Sequence, residues 1–178
     1  MKNQKFEIVG TQSNIDWVGR KVTGAHNGTI AIKKGELLLN DGKLIGGEII
    51  VDTTSVKILD ITDPATNAQF AGHLASDDFF SSEKYPEALL AIASVSGNRV
   101  EGNLTIKGIT HPVGFDAVVK TSDDLLTATG KLVIDRTKYE MKFRSGNFFQ
   151  NLGDTLIYDH FELDVTVTAK TANQAVLA

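Results

Sequence analysis

The stretch Gly72-His73-Leu74-Ala75-Ser76-Asp77-Asp78-Phe79-Phe80-Ser81-Ser82-Glu83-Lys84-Tyr85-Pro86 separates a helix-like segment from a long series of strand-like segments. It places two adjacent aromatic residues, Phe79 and Phe80, in an otherwise polar turn. Rings of this size gain free energy when they leave water, so we expect both to pack against the rest of the fold. The turn therefore predicts that the helix before it lies close to the strands after it.

The segment before this turn carries the signals of a helix start. Asp63 is a suitable N-cap, and Pro64 fits the first helical position because the amide it lacks would have no partner there. Phe70 and Leu74 lie four residues apart and share one helical face. We expect one helical segment near residues 64–76, lying against the sheet or across the mouth of a barrel.

From residue 87 onward the sequence alternates apolar and polar residues, which is the pattern of strands with one buried face. Lys107 falls on the polar, outward row of the first such segment. The apolar, inward rows contain Val100, Gly102, Leu104, Ile106, Val113, Phe115, Ala117, Val119, Leu126, Ala128, Gly130, Leu132, Ile134, Phe161, Leu163, Val165, Val167 and Ala169.

The first part of the chain also predicts strands, at residues 6–9, 14–22, 26–33, 36–40 and 43–58. Ile30 and Ile32 alternate with polar neighbours, Gly35 is expected to end that strand, and Gly46-Gly47 predicts a bulge. Many half-polar antiparallel strands with one helix can avoid exposed edges as a closed barrel or as a two-sheet sandwich. Periodicity alone leaves both open.

The composition of the chain excludes several classes of protein. With 178 residues and 42% hydrophobic residues, the chain predicts one domain over 1–172, with a frayed tail at 173–178. Without cysteine it has no disulfides or thiolate chemistry, and a net charge of -4 argues against nucleic acid as a partner. The first residues show no apolar leader and no run of about 20 apolar residues follows, which predicts a cytoplasmic protein without stable membrane insertion, or a periplasmic one if a leader has been removed.

Catalytic and metal-binding motifs are absent from the sequence, so we expect no catalytic residue, no metal and no cofactor. The four histidines lack ligand spacing. His160 is expected to be solvated and His111 to lie in a turn. His73 and His26 are better explained by structural hydrogen bonds than by metal, His73 with Asp77 or Asp78.

Eight short motifs follow one another in order along most of the chain: Trp17, His26-x-Gly28-x-Ile30, Val51–Val56, His73-Leu74, Asp78-Phe79-Phe80, Tyr85-Pro86, Gly102–Val113 and Ile134–Tyr139. Each is weak by itself, but together they resemble the YceI-like, polyisoprenoid-binding proteins. Two positions depart from that family. Glu140 stands where many members have glycine, and residues 88–93 lack the usual Phe-x-Ser, which is expected to reshape the lumen.

The resemblance implies an all-β fold, an extended antiparallel lipocalin-like barrel of about eight strands whose apolar lumen is partly vacant. It implies a long-chain isoprenoid or fatty lipid as the ligand, and it allows a homodimer. Arg136 would hold a charged head group, or else form a surface ion pair. The residues expected to bind the ligand are Trp17, His26, Ile30, Ile32, Phe70, Leu74, Phe79, Phe80, Leu104, Phe115, Arg136, Phe161 and Leu163.

Two other functions stay open at this point. One is a hydrolase or isomerase that acts on a lipid, and the other is a stress-related structural protein whose lumen is filled by side chains. Without the resemblance, the inward rows would be explained as ordinary core.

Overall fold

The computed structural model describes residues 3–146, 148–150, 152–153 and 156–171. In chain order the strands are β1 (Asn3–Ile8), β2 (Asn14–Lys21), β3 (Gly24–Asn40), β4 (Lys43–Ile58), β5 (Glu87–Ser96), β6 (Arg99–Ile106), β7 (Ile109–Ser122), β8 (Leu125–Asp135) and β9 (Ile157–Thr171). One α-helix within these ranges, α1 (Pro64–Ala75), joins β4 to β5, and short 3₁₀ turns cover Gly10–Gln12 and Arg136–Tyr139. The tail predicted at 173–178 falls outside the described residues.

The strands close into a barrel. Their order is β1-β3-β2-β9-β8-β7-β6-β5-β4, and β4 pairs back onto β3. β1 and β2 share one place in this ring, because β2 pairs with the first part of β3 and β1 with its last part, while both also pair with β9. The ring therefore has eight positions. This confirms the antiparallel barrel and excludes the sandwich.

β3 is longer than the sequence predicted. It continues through Gly35 to Asn40 because a bulge between Ile32 and Lys34 changes the register against β4. The bulge moves the inward positions from even numbers, such as Ile30 and Ile32, to odd numbers, such as Leu37 and Leu39. The predicted stop at Gly35 was therefore wrong.

α1 begins as the sequence predicted. The Asp63 carboxylate accepts the Thr66 amide at 2.9 Å, Pro64 occupies the first turn, and the helix ends at Ala75. Leu74 is buried, Phe70 is half-buried against the core, and the helix packs beside the end of β4. No helix in the described ranges is both long and apolar enough to span a lipid bilayer.

The two ends of the barrel differ. At one end, called the helix end, lie α1, the turn at 76–86, the β6–β7 hairpin and the segment after β8. Leu74, Phe79, Tyr139 and Met141 are buried there. At the other end, called the hairpin end, tight turns join β3 to β4, β5 to β6 and β7 to β8. The helix end is therefore covered by a second layer of chain.

Candidate functional site

The barrel encloses an apolar cavity of about 90 Å³. None of the described residues that line it is ionisable, and apart from Thr129 all are apolar or glycine. They are Ile15, Leu37, Leu44, Ile49, Val51, Leu90, Ile92, Val100, Leu104, Phe115, Ala117, Val119, Ala128, Thr129, Gly130, Leu132, Leu163, Val165 and Val167. The site can hold apolar groups by burial, but it offers no side chain for acid–base chemistry.

Small side chains on β7 and β8 create the space. Ala117 lies opposite Gly130 in the ladder, and Val119 lies opposite Ala128. The Phe115 ring covers Gly130, where an added Cβ would lie 3.2 Å from the ring. Phe115 and Ala128 face inward yet are only half-buried. The side chains of β7 and β8 therefore do not fill the middle of the barrel.

The volume limits what the cavity holds in its present shape. Water occupies about 30 Å³ per molecule in the liquid, so 90 Å³ corresponds to about three atoms of that size. Pockets for drug-sized ligands usually measure about 300–1,000 Å³. A long chain therefore enters only if inward side chains such as Phe115 change rotamer.

Three of the residues predicted to bind the ligand line the cavity, namely Leu104, Phe115 and Leu163. Trp17, Ile30, Ile32 and Phe161 face the interior but belong to the core around it. Phe70, Leu74, Phe79 and Phe80 pack at the helix end. The sequence missed Leu37, Ile49, Val51, Leu90 and Ile92 as lining residues, although alternation in strands gives the signal that finds such positions.

Phe79 and Phe80 both pack against the fold, as predicted, Phe79 buried and Phe80 half-buried. Phe79 is 8% exposed and contacts the rings of His73 and Phe143 edge-on, with centroids 5.1 and 6.0 Å away. His73 Nε2 lies 3.0 Å from an oxygen of Asp78, which is the hydrogen bond expected from the sequence. These contacts fasten α1 to the turn that follows it.

His26 forms a second pair with a carboxylate. Its Nδ1 lies 2.7 Å from Asp60, its ring meets Phe70 edge-on at 4.8 Å, and the Asn27 amide donates to the other Asp60 oxygen at 3.1 Å. Burial alone would raise the pKa of Asp60, but the hydrogen bonds from His26 and Asn27 outweigh it, so the pKa lies below its usual value. His26 joins β3 to the chain before α1, and it is absent from the cavity lining.

Arg136 is a buried structural clamp, and its role in holding a head group stays a prediction. Its side chain is 3% exposed, so it forms no surface ion pair. The guanidinium donates to the carbonyls of Tyr158 and Ile157, each at 3.0 Å, and to that of Met141. It also lies 5.8 Å from the centroid of the Phe79 ring, and burial lowers its pKa. Nε and both terminal nitrogens of the guanidinium each donate to one of these carbonyls, so few donors remain for a head group.

Lys107 also differs from its prediction. It is in the β6–β7 turn rather than on a solvated outer face, and its ammonium donates to the carbonyls of Asp77 at 2.7 Å and Glu140 at 3.2 Å. Burial lowers its pKa. His111 shares a hydrogen bond with the Lys138 carbonyl, whereas His160 is exposed as expected. Lys107 thus connects two loops of the helix end.

A larger but open groove of about 390 Å³ lies on the outer wall. Arg20, Glu162, Asp159 and His160 line it together with Val133, and Arg20 forms an ion pair with Glu162 at 3.2 Å. Its mixed charges do not suit a long apolar chain. The lumen is therefore the better candidate despite its smaller volume. In the described part of the chain, no three His, Asp or Glu side chains converge in a metal-binding arrangement.

Known structures share the fold. The TM-score is 0.68 with BcnA of Burkholderia cenocepacia, at 19% identity over 92% of this chain and 99% of that one. It is also 0.68 with a polyisoprenoid binding domain from Saccharophagus degradans, at 14% identity over 93% and 98%. At these identities the likeness shows the fold alone.

Sequence comparison gives the family. A UPF0312 protein of Staphylococcus aureus is 40% identical over 78 residues, which are 40% of this chain and 46% of that protein. The match thus spans about half the length of this curated relative. Residues 6–169 match the YceI-like domain, which is almost the entire barrel. The chain therefore belongs to the YceI-like domain family.

Proposed function

We propose that the protein binds a long-chain isoprenoid or a similar lipid in the barrel lumen, and that it sequesters or carries this lipid without altering it. The observation that carries the proposal is the lining of the cavity, in which the described residues include no ionisable side chain. The Saccharophagus degradans neighbour, described as a polyisoprenoid binding domain, supports this class of ligand.

Apolar burial is sufficient for such binding. Each buried CH₂ contributes about 0.8 kcal/mol, and association costs about 4–15 kcal/mol, so a few isoprene units can offset that cost. The lumen must first open beyond 90 Å³, and the Phe115 ring over Gly130 is the side chain best placed to move. The two alternatives have less support. A lipid-directed enzyme would need chemistry outside the lining, and a filled lumen would leave no cavity.

Native mass spectrometry tests the proposal directly. The purified protein is incubated with geranylgeraniol or palmitate and transferred to buffer without lipid. We expect a mass increase equal to one ligand. If neither lipid is retained, the carrier function is wrong. If a lipid ester or pyrophosphate is instead turned over, and His73→Ala or His26→Ala abolishes turnover with the fold intact, the protein is an enzyme.

Charge substitutions on β7 and β9 test whether the lipid lies in the lumen. Phe115→Glu places a carboxylate in the lumen and should abolish retention, because an unpaired buried charge is costly. Leu163→Glu should act in the same way. Lys120→Glu changes an exposed residue of the same strand as Phe115 and should bind like the wild type. Equal effects of the inward and outward substitutions would place the lipid outside the lumen.

A further inference from the structure

Two adjacent phenylalanines are exposed near the helix end. The side chains of Phe148 and Phe149 are 52% and 47% exposed. Val22 and Tyr158, at 47% and 48%, are exposed at the same end. Large apolar side chains exposed side by side, such as those of Phe148 and Phe149, can mark a surface that meets an apolar partner.

Their exposure is built into a fixed turn. Ser145 is fully buried, and its carbonyl accepts the amides of Phe148 at 3.1 Å and Phe149 at 2.9 Å. Its hydroxyl donates to Asp159 at 2.5 Å, and the Ile157 amide donates to the Arg144 carbonyl at 2.8 Å. The backbone around the two rings is therefore tied to the start of β9, and about half of each side chain stays exposed.

Basic side chains lie next to the aromatic rings of this segment. The Lys142 ammonium lies 4.5 Å from the centroid of Phe148, and the Arg144 guanidinium lies 4.9 Å from that of Phe143. Residues 138–149 carry three basic residues and one acid, Glu140, which pairs with Lys142 at 3.3 Å. This stretch has a net charge of +2 within a chain of -4, so the rest of the chain carries -6.

We propose that Lys142, Phe143, Arg144, Phe148 and Phe149, here called the docking loop, attach the protein to the surface of an anionic lipid bilayer. Aromatic rings and basic side chains together suit the head-group region, where rings enter the acyl boundary and cations meet phosphates. An anionic surface attracts the docking loop and repels the remaining negative surface, so the charge distribution also fixes the orientation. The helix end faces the membrane, and docking does not depend on the ligand of the lumen.

Vesicle co-sedimentation of the full chain tests this proposal. We expect binding to vesicles that contain phosphatidylglycerol, weaker binding to pure phosphatidylcholine, and loss of binding at high salt. Lys142→Gln with Arg144→Gln should weaken binding about fivefold per cation removed. Phe148→Ser with Phe149→Ser should weaken it at least about tenfold, since both rings lose their apolar contact with the bilayer.

Matched variants keep the test specific. Lys120→Gln with Lys131→Gln removes the same charge from the outer wall, and Val118→Ser removes an exposed apolar residue there; both should bind vesicles like the wild type. The lumen variant Phe115→Glu should also dock normally. Equal binding to both vesicle types, or unchanged binding by the double serine variant with its fold intact, would overturn the proposal. So would a dimer that this variant dissociates while vesicle binding persists, because the loop would then be a contact between copies.

Discussion

Ala128→Ile should fill the lumen and so separate ligand binding from stability. Ala128 lines the cavity, faces inward and is only half-buried. The substitution adds three carbon atoms, and at about 30 Å³ for each water-sized atom they match the cavity of about 90 Å³. The β-branched side chain also suits a strand.

The substitution should raise the stability of the ligand-free protein and weaken its binding of the lipid. Empty volume in a core costs about 24 cal/mol per Å³, so filling 90 Å³ should raise the free energy of unfolding of the ligand-free protein by up to about 2 kcal/mol. For a chain of this size, that is a rise in Tm of about 4–8 °C. A lipid that loses space for three methylene groups loses about 2.4 kcal/mol, or about fiftyfold in Kd.

Titration with geranylgeraniol by native mass spectrometry measures Kd, and thermal unfolding of delipidated protein measures Tm. Thr127→Ile is the control, because Thr127 is the exposed neighbour on the same strand. If Ala128→Ile instead lowers Tm, as overpacking that costs about 1–3 kcal/mol of unfolding free energy would, the space is too small for the added atoms. An unchanged Kd would show that the lipid binds elsewhere, and either result would refute the reasoning.

Three further predictions concern the barrel itself. Gly28→Ala should lower the free energy of unfolding by about 1–3 kcal/mol in urea titrations, since its Cβ would lie 1.7 Å from the Lys57 carbonyl oxygen, whereas Gly19→Ala, with nothing within 4 Å, should change it little. Arg136→Ala should cost about 3–5 kcal/mol by leaving buried carbonyls unpaired, and a stable variant that had lost only lipid binding would restore the head-group role. The pKa of Asp60 is lower in the folded state than the unfolded value of about 3.9, so its contribution is complete above that value and disappears as pH falls through the folded pKa. The stability difference between wild type and Asp60→Asn should therefore shrink as the pH falls below about 4, and a constant difference would contradict this assignment.

Local rules predicted much of the fold. The capped helix start at Asp63 and the alternating rows after residue 87 are short-range signals, and the structure confirms both. The bulge near Lys33 is signalled in the sequence only by two consecutive lysines, which interrupt the alternation of apolar and polar residues in β3. The closed barrel came from the resemblance, because alternation shows which face is buried and not which strands meet.

Tertiary contacts decided what the sequence could not predict. The position of the cavity depends on small residues of β7 and β8 meeting large ones from distant strands, so only three of the residues that the resemblance implied as ligand-binding line it. The carbonyls that surround Arg136 come from Met141, Ile157 and Tyr158, which lie far from it along the chain or in an irregular segment. Glu140 adopts φ 63°, a left-handed conformation that glycine enters with less strain than glutamate.

The pairing of β9 has a consequence for how the protein is made. Of the nine described strands, β9 comes last along the chain and so leaves the ribosome after the other eight, and it is also the partner of β1, β2 and β8. Until it arrives, those three strands present open edges, on which nascent chains aggregate readily. Because its pairs with β1 and β2 span most of the sequence, closure should be slow, and chaperones that shield the first eight strands during translation should raise the yield.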